Sequence, residues 1–384
     1  PAGMMLGLLL ARAGLSVAVL EKHRDFLRDF RGDTIHPSTL EVLHELGILE
    51  DFLKLPHQKV EQLRGQVGET LVTIADFRRL PVRCPYIALI PQWDFLDFLA
   101  RQGARYPGFQ LRMETQVDGL LQKDGRVVGV RTGATEIQAD LVVGADGRSS
   151  TVRAAAGLEV KDLGAPIDVL WFRLSRRPDD PGDTMGRFDR GSILVMLNRG
   201  EHWQCAFVIP KDGAQKIRDR GLAAFRARIA KLVPVAGDRL DEIGSWDDVK
   251  LLTVQVNRLK RWYREGLLCI GDAAHAMSPV GGIGINLAIQ DAVAAANVLR
   301  GGGFSLRALE AVQARRELPT RLTQGFQVLV QNLILKRVLA EEAQAGGPPL
   351  RPPFALRMLT GFEFARRIPA RVVGMGFRPE HVRS

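Results

Sequence analysis

The stretch Leu267–Ala292, LLCIGDAAHAMSPVGGIGINLAIQDA, decides how this chain is read. Leu267–Ile270 is a short apolar run of strand length, and it stops at Gly271. An acid, Asp272, follows at once. Then come Pro279, Gly281, Gly282 and Gly284, before Ile285 and Asn286 open an apolar helical pattern. A carboxylate at a strand end lies where open α/β sheets bind ligands, in the crevice beyond the strands' carboxyl ends. Glycines let a main chain approach a surface that a Cβ would hold off. Pro279 fixes the loop's direction and removes one competing donor. Free N–H groups at the start of the following helix favour negative charge.

The beginning of the chain, PAGMMLGLLLARAGLSVAVLEKH, carries a second signal. It reads as helix, glycine stop, then a β-branched strand that ends in an acid. Glu21 follows 18 residues after Gly3. This is the second half of a dinucleotide-binding βαβ unit: the third glycine permits close helix–strand packing, and the acid hydrogen-bonds a ribose. The first strand and first two glycines precede this pattern in such units. The natural protein is therefore expected to carry about ten to fifteen further N-terminal residues, a strand plus its turn.

Between these signals lie a helix opened by Pro37 and Ser38, the strand–turn–helix YIALIPQWDFLDFLARQGARY, and a hairpin marked by Asp124-Gly125. ADLVVGADGRSSTVRAAAGL reads as a buried strand, a sharp turn at Asp146-Gly147, and a helix. Residues 166–256 are rich in β segments with breaks between them and predict a mostly antiparallel second layer. Helical patterns dominate from Leu306 onward.

The chain has 384 residues and a net charge of +10. The charge favours anionic small molecules or an acidic surface. The basic residues are scattered and no nucleic-acid-binding signature is present, so nucleic acid is excluded as a partner. Cys84, Cys205 and Cys269 are far apart without a CxxC spacing, which points to buried thiols in a reducing cytoplasm rather than a zinc site or disulfides. No apolar run reaches about 18 residues. Metal clusters and Ser-His-Asp order are also missing from the pattern, so the chemistry belongs to a cofactor and no catalytic side chain is assigned. His275 is read as a packing or capping residue.

Three motifs, PAG…E ending at Glu21, GADGRSSTVR around Asp146 and Gly147, and GDAAHAMSPVGGIGINLAIQD, occur together in one family. The chain resembles the single-component (group A) flavoprotein monooxygenases, the fold family of para-hydroxybenzoate hydroxylase and the ubiquinone-biosynthesis hydroxylases. The resemblance runs from Pro1 to about Arg300 and more loosely beyond. It implies an α/β fold: a Rossmann-like FAD-binding domain, its first strand missing from this sequence, with an antiparallel substrate layer and a helical C-terminal region. The parts are then 1–165 and 257–305 for FAD, with a segment near 60–95 joining the substrate layer, 166–256 for substrate, and 306–384 as the helical end.

The resemblance also assigns residues. Gly3, Glu21 and Lys22 serve the adenosine side, with Glu21 on the ribose; Arg31 lies near the pyrophosphate. Val117 touches the adenine through its backbone. Gln92 faces the flavin. Asp146 and Gly147 form one wall, Asp272 binds the ribityl chain, and Pro279, Gly281, Gly282, Gly284, Ile285 and Asn286 line the isoalloxazine. For this reading to hold, the loops at Asp146 and Asp272 must share one cleft. The implied reaction is reduction of FAD by NADH or NADPH as a transient co-substrate, addition of O₂ at flavin C4a, and hydroxylation of a phenol or other electron-rich, apolar aromatic. The apolar candidates in the substrate layer are Trp171, Phe172, Met196, Trp203 and Phe207, although core packing explains them equally well. The other readings are a flavin-dependent reductase or dehydrogenase, such as a polyprenyl reductase, and a cofactor-free relative. A peripheral membrane contact of the apolar and basic tail, FQVLVQNLILKRVLAEEAQ and FALRMLTGFEFARRIPARVVGMGFR, is a further expectation.

Overall fold

The computed structural model describes residues 1–27, 32–182, 184–332, 338, 350–352 and 365–383. Helix α1 (Ala2–Arg12) is apolar nearly all round and almost wholly buried, and Gly14 ends it with φ +86°. Strand β1 (Val17–Leu20) follows, then β2 (Thr34–Ile35) and α2 (Pro37–Glu45), whose proline stands at the helix start. A hairpin, β3 (Gln62–Val67) and β4 (Thr70–Asp76), leads to β5 (Ile87–Leu89), α3 (Gln92–Gly103) and β6 (Phe109–Arg112).

β1 pairs in parallel with β6. Strand β7 (Val142–Gly144) pairs in parallel with a later strand, Leu267–Cys269. Among the described residues these are two separate sheets, and α1 lies against both. A Cβ on Gly7 would stand 2.5 Å from Val19 Cγ2 and 3.1 Å from Phe109, whereas one on Gly3 meets Ala145 at 3.3 Å. Gly3 thus stands close to the end of β7, and Gly7, one helical turn further on, stands closer still to β1 and β6.

After β7 come the short helix α4 (Thr151–Ala155) and β8 (Ile167–Ser175), β9 (Met185–Asp189), β10 (Ser192–Asn198) and β11 (His202–Pro210). Helix α5 (Leu222–Leu232) and strand β12 (Lys250–Leu252) complete the layer. The seven-stranded sheet runs β12-β8-β11-β10-β9-β3-β4, antiparallel except where β9 meets β3. The hairpin of residues 62–76 is thus part of this sheet.

Strand alternation splits the sheet's side chains between two faces. One face carries Phe172, Leu174, Met196, Trp203, Cys205 and Phe207 and packs with Phe225, Ile229 and Leu232 of α5 in a closed core. Burial of each such side chain contributes about 1.5–3 kcal/mol. Four of the five apolar substrate candidates, Phe172, Met196, Trp203 and Phe207, are therefore core residues pointing away from the nucleotide layer. Trp171 stands on the opposite face with Val195 and Ala206.

The chain returns through β13 (Leu267–Cys269) to α6 (Gly284–Leu299) and α7 (Leu306–Val330), and α8 (Arg367–Gly374) packs near the end. The span Val280–Leu299 is, among the described residues, the one helical stretch long and apolar enough to cross a membrane, and most of it is buried in the core. Much of the tail expected to touch a membrane lies outside the described residues.

Candidate functional site

β7 and β13 run side by side, Gly144 opposite Cys269, and Ile270 N–H donates to Gly144 O at 2.9 Å. Asp146 and Asp272 therefore leave neighbouring strand ends into one cleft. Arg148 reaches Asp272 at 4.0 Å. The two acids are used differently. Asp146 accepts from Ser150 Oγ at 2.5 Å and from the Val152 N–H at 3.1 Å, so its carboxylate holds the start of α4, while Gly147 turns the chain with φ +87°. The Asp272 side chain is 35% exposed and accepts no hydrogen bond from the described residues. Its acceptor capacity is open to a ligand.

The turn before Asp272 is held from beneath. Asp291, fully buried, accepts from the Gly271 N–H at 3.0 Å, from His275 Nε2 at 2.5 Å and from Arg316 Nε at 3.0 Å. Burial pushes the Asp291 carboxyl up, but His275 and Arg316 outweigh it and hold it below the usual carboxylate range. His275 also packs on Trp262, with ring centroids 5.0 Å apart. It packs and anchors, as the sequence suggested.

The glycine loop folds against β2. Thr34 Oγ1 donates to Gly282 O at 2.8 Å. Asn286 donates to Thr34 O at 3.0 Å and accepts from the His36 N–H and from Thr39 Oγ1, both at 2.8 Å. Gly281 and Gly282 have φ of +79° and +64°, and a Cβ on Gly282 would lie 2.5 Å from Thr34 Oγ1. At Gly282, Thr34 already leaves no room for a Cβ. Gly284 borders open space, and Ile285 packs on Gly32. Asn286 works by fixing the loop to β2, with its own side chain consumed in doing so. His36, fully buried, places Nδ1 2.7 Å from Val373 O, and burial pushes its pKa down to about 4 despite that bond.

At the adenosine end, Glu21 closes β1 and accepts from the His23 N–H at 3.0 Å. Thr115 N–H donates to Glu21 O at 2.8 Å and draws Thr115–Val117 alongside. Val117 and Leu20 both border the small core of Val127, Val130 and Val142, and Lys22 is exposed. Arg31 lies outside the described residues.

Gln92 begins α3, and its N–H donates to Asp33 Oδ1 at 3.3 Å. Asp33 was not singled out in the sequence. It is buried at the junction of the two layers, ion-paired with Arg199 from the turn between β10 and β11. Burial pushes its pKa up to about 6, against the pull of Arg199 and the Gln92 N–H. In the sequence Asp33 reads as an ordinary solvated loop acid; its burial comes from Arg199, 166 residues away.

Two parallel strand ends, a glycine loop and an open helix start make the site of a nucleotide-binding α/β protein. The chain belongs to the FAD binding domain family, whose model matches residues 1–325. It is 37% identical over 346 residues to 6-methylpretetramide 4-monooxygenase of Streptomyces rimosus, covering 87% of this chain and 82% of that protein. It is 30% identical over 309 residues to 12-dehydrotetracycline 5-monooxygenase/anhydrotetracycline 6-monooxygenase of S. rimosus subsp. rimosus, covering 76% of this chain and 59% of that longer protein. The crystal structure of PqsL, a probable FAD-dependent monooxygenase from Pseudomonas aeruginosa, superposes with a TM-score of 0.75 at 21% identity, over 89% of this chain and 96% of that one. The class is that of FAD-dependent monooxygenases using NAD(P)H and O₂. The residues present fit the cofactor: the Asp272 carboxylate accepts no hydrogen bond from the described residues and has only the long Arg148 ion pair, Gly284 leaves room, and the N–H groups at the start of α6 are free for an anionic ring.

Proposed function

We propose that this chain hydroxylates an electron-rich, fused aromatic of the pretetramide kind. The observation that carries the reading is the cleft in which Asp272, left open to a ligand, stands beside the start of α6 at the strand ends. In this reading Glu21, Lys22 and Val117 hold the adenosine, Arg31 the pyrophosphate, and Asp272 the ribityl hydroxyls. The loop Pro279–Asn286 and Gln92 border the ring, and α6 stabilises its anionic reduced form by about 1 kcal/mol. Residues 1–165 and 257–305 form the cofactor unit and 166–256, with the 62–76 hairpin, the substrate layer. Bound FAD supplies electron transfer and oxygen activation; the protein orients the partners and excludes water. The sheet face with Trp171, Val195 and Ala206 gives the substrate an apolar wall.

The test is aromatic-stimulated NAD(P)H oxidation by the FAD-loaded protein, with oxygen uptake and product mass followed together. A product heavier by one oxygen atom supports the proposal. Donor oxidation with a reduced product and no oxygen uptake replaces it with the reductase reading. A protein that retains no flavin replaces it with the cofactor-free one.

A further inference from the structure

Helix α7 presents a face that the fold of one chain leaves uncovered. Leu318, Leu322 and Leu329 are 57%, 43% and 54% exposed, while glutamines of the same helix fill the interior. Ala311, Ala314 and Gly325 are exposed between them, and a Cβ on Gly325 would meet nothing within 4 Å. Steps of three and four residues join these positions, so they form one stripe, about 27 Å long. Pro319 is on the buried side and does not interrupt it. Single surface leucines are ordinary, but a contiguous apolar stripe marks a contact surface.

Bulk and charge along this stripe complement each other end for end. The leucines stand in its C-terminal half, and the alanines in its N-terminal half. One edge runs through Glu310, Ala314, Glu317 and Arg321, again in steps of three and four. Glu310 is exposed and unpaired among the described residues. Arg321, its side chain 59% exposed, reaches Glu317 only at 4.0 Å. Arg321 also lies near Arg258, whose pKa is pushed down by burial and by that second positive charge. Negative charge is thus free at one end of the edge, and positive charge is in surplus at the other.

We propose that a second copy of this chain covers the stripe, its own α7 packed antiparallel about a twofold axis beside Arg315. In that register Leu318 of each copy falls between Ala311 and Ala314 of the other, and Leu322 falls beside Ala311. Gly325 leaves room for Leu306, which is 44% exposed. Leu329 meets the exposed glycines that precede α7, Gly302 and Gly303. A twofold axis of this kind brings like edges together, so Glu310 of each copy meets Arg321 of the other. Arg315 meets its own copy near the axis, with its charge already matched by Glu380 at 2.9 Å. Such an isologous contact closes on itself and gives a dimer rather than a filament. A single helix pair buries less than the roughly 1,200 Å² of a standard stable interface, so half-association is expected at about 10 µM.

The test is sedimentation velocity of the full chain, with FAD in excess, from about 1 to 200 µM. The mass is expected to rise from one chain to two across that range. Leu322→Glu should raise the midpoint at least about tenfold, because it places a charge in the apolar seam. Glu310→Arg and Arg321→Glu should each raise it about tenfold, and the double variant should return to within about threefold of wild type. In a parallel pair these two positions lie about 16 Å apart along the helix, and the swap would restore nothing. An unchanged Tm certifies that each variant is folded. A wild-type protein that stays monomeric throughout, a dimer indifferent to Leu322→Glu, or a charge swap without rescue overturns the interface. Monomers that co-sediment with phosphatidylglycerol vesicles, and cease to do so in Leu322→Glu, also overturn it and assign the stripe to a lipid surface.

Discussion

Acidification should release a penalty stored in His36. Its ring is fully buried, with Nδ1 bonded to Val373 O, and its pKa falls to about 4 from an unfolded value of 6.5. Below 6.5 the unfolded chain takes a proton that the folded chain refuses. The contribution of His36 is thus intact above 6.5 and is lost as pH falls toward 4. At 1.36 kcal/mol per unit, the limit is about 3 kcal/mol, and roughly 2 of it disappears between pH 7 and 4.5. Asp33 acts with the opposite sign. Its raised pKa of about 6 lets the folded state take up a proton first on acidification, so stability returns between 6 and 3.8. The two effects are similar in size, and the wild-type curve alone will not reveal either. His36→Asn separates them, because an asparagine amide can stand in for Nδ1 and donate to Val373 O without titrating. Urea unfolding at both pH values should show the gap between wild type and variant change by about 2 kcal/mol. A gap that is independent of pH refutes the reasoning.

Gly7→Ala forces α1 off β1 and should cost about 1–3 kcal/mol, seen as a lowered Tm. Asp272→Asn removes a charged acceptor worth about 1.5–3 kcal/mol and should weaken FAD about 10–150-fold in a fluorescence titration of apoprotein. Asp291→Ala leaves the Gly271 N–H, His275 Nε2 and Arg316 Nε without their acceptor, Arg316 keeping Glu380, and should cost about 3–5 kcal/mol, measured by denaturant unfolding. Gln327→Met leaves the Ser278 N–H, Ser278 O and Val280 O without their partner; faster hydrogen exchange around residue 278 together with faster flavin loss is the expected outcome.

The elements with strong local chemistry were legible in the sequence. Pro37 at a helix start, Asp124-Gly125 with φ of +51° and +78° in a hairpin, and the strand–acid–glycine run at 267–286 each appear where local rules put them. What escaped was set by partners distant in sequence. Which large side chains of the antiparallel sheet face the cofactor depends on register and on which layer covers each face, and alternation alone does not say which side is inward. Asp33 and Arg199 are 166 residues apart, and either looks like an ordinary surface charge in isolation. Gly3 fitted the spacing of the dinucleotide motif, and the motif did not point to Gly7, whose contacts with Val19 and Phe109 fix the distance of α1 from β1.

Helix α7 shows the same point with a functional consequence. Its exposed side carries Leu318, Leu322 and Leu329, and its inward side carries Gln313, Gln324 and Gln327. A periodicity argument would turn that helix round. The chain from 257 to 280 explains the inversion: its strands are only two or three residues long, so backbone polar groups at their ends and in the turns between them reach the core, and each must be satisfied. Gln313 accepts from the Trp262 N–H at 2.9 Å and donates to Lys260 O at 3.0 Å. Gln324 donates to Asn257 O and Ala276 O, and Gln327 to Ser278 O and Val280 O while accepting from the Ser278 N–H. Gln331 reaches Ser278 Oγ at 2.5 Å. Gln327 and Gln331 lie beyond residue 325, where the match to the FAD binding domain family stops, yet they hold the segment that leads directly into Gly281 and Gly282. From the far side, Val373 receives His36, and Glu380 meets Arg316 beneath Asp291. The geometry of the glycine loop is therefore a property of the C-terminal helices as much as of the loop's own residues, and substitutions there should register first as altered flavin affinity.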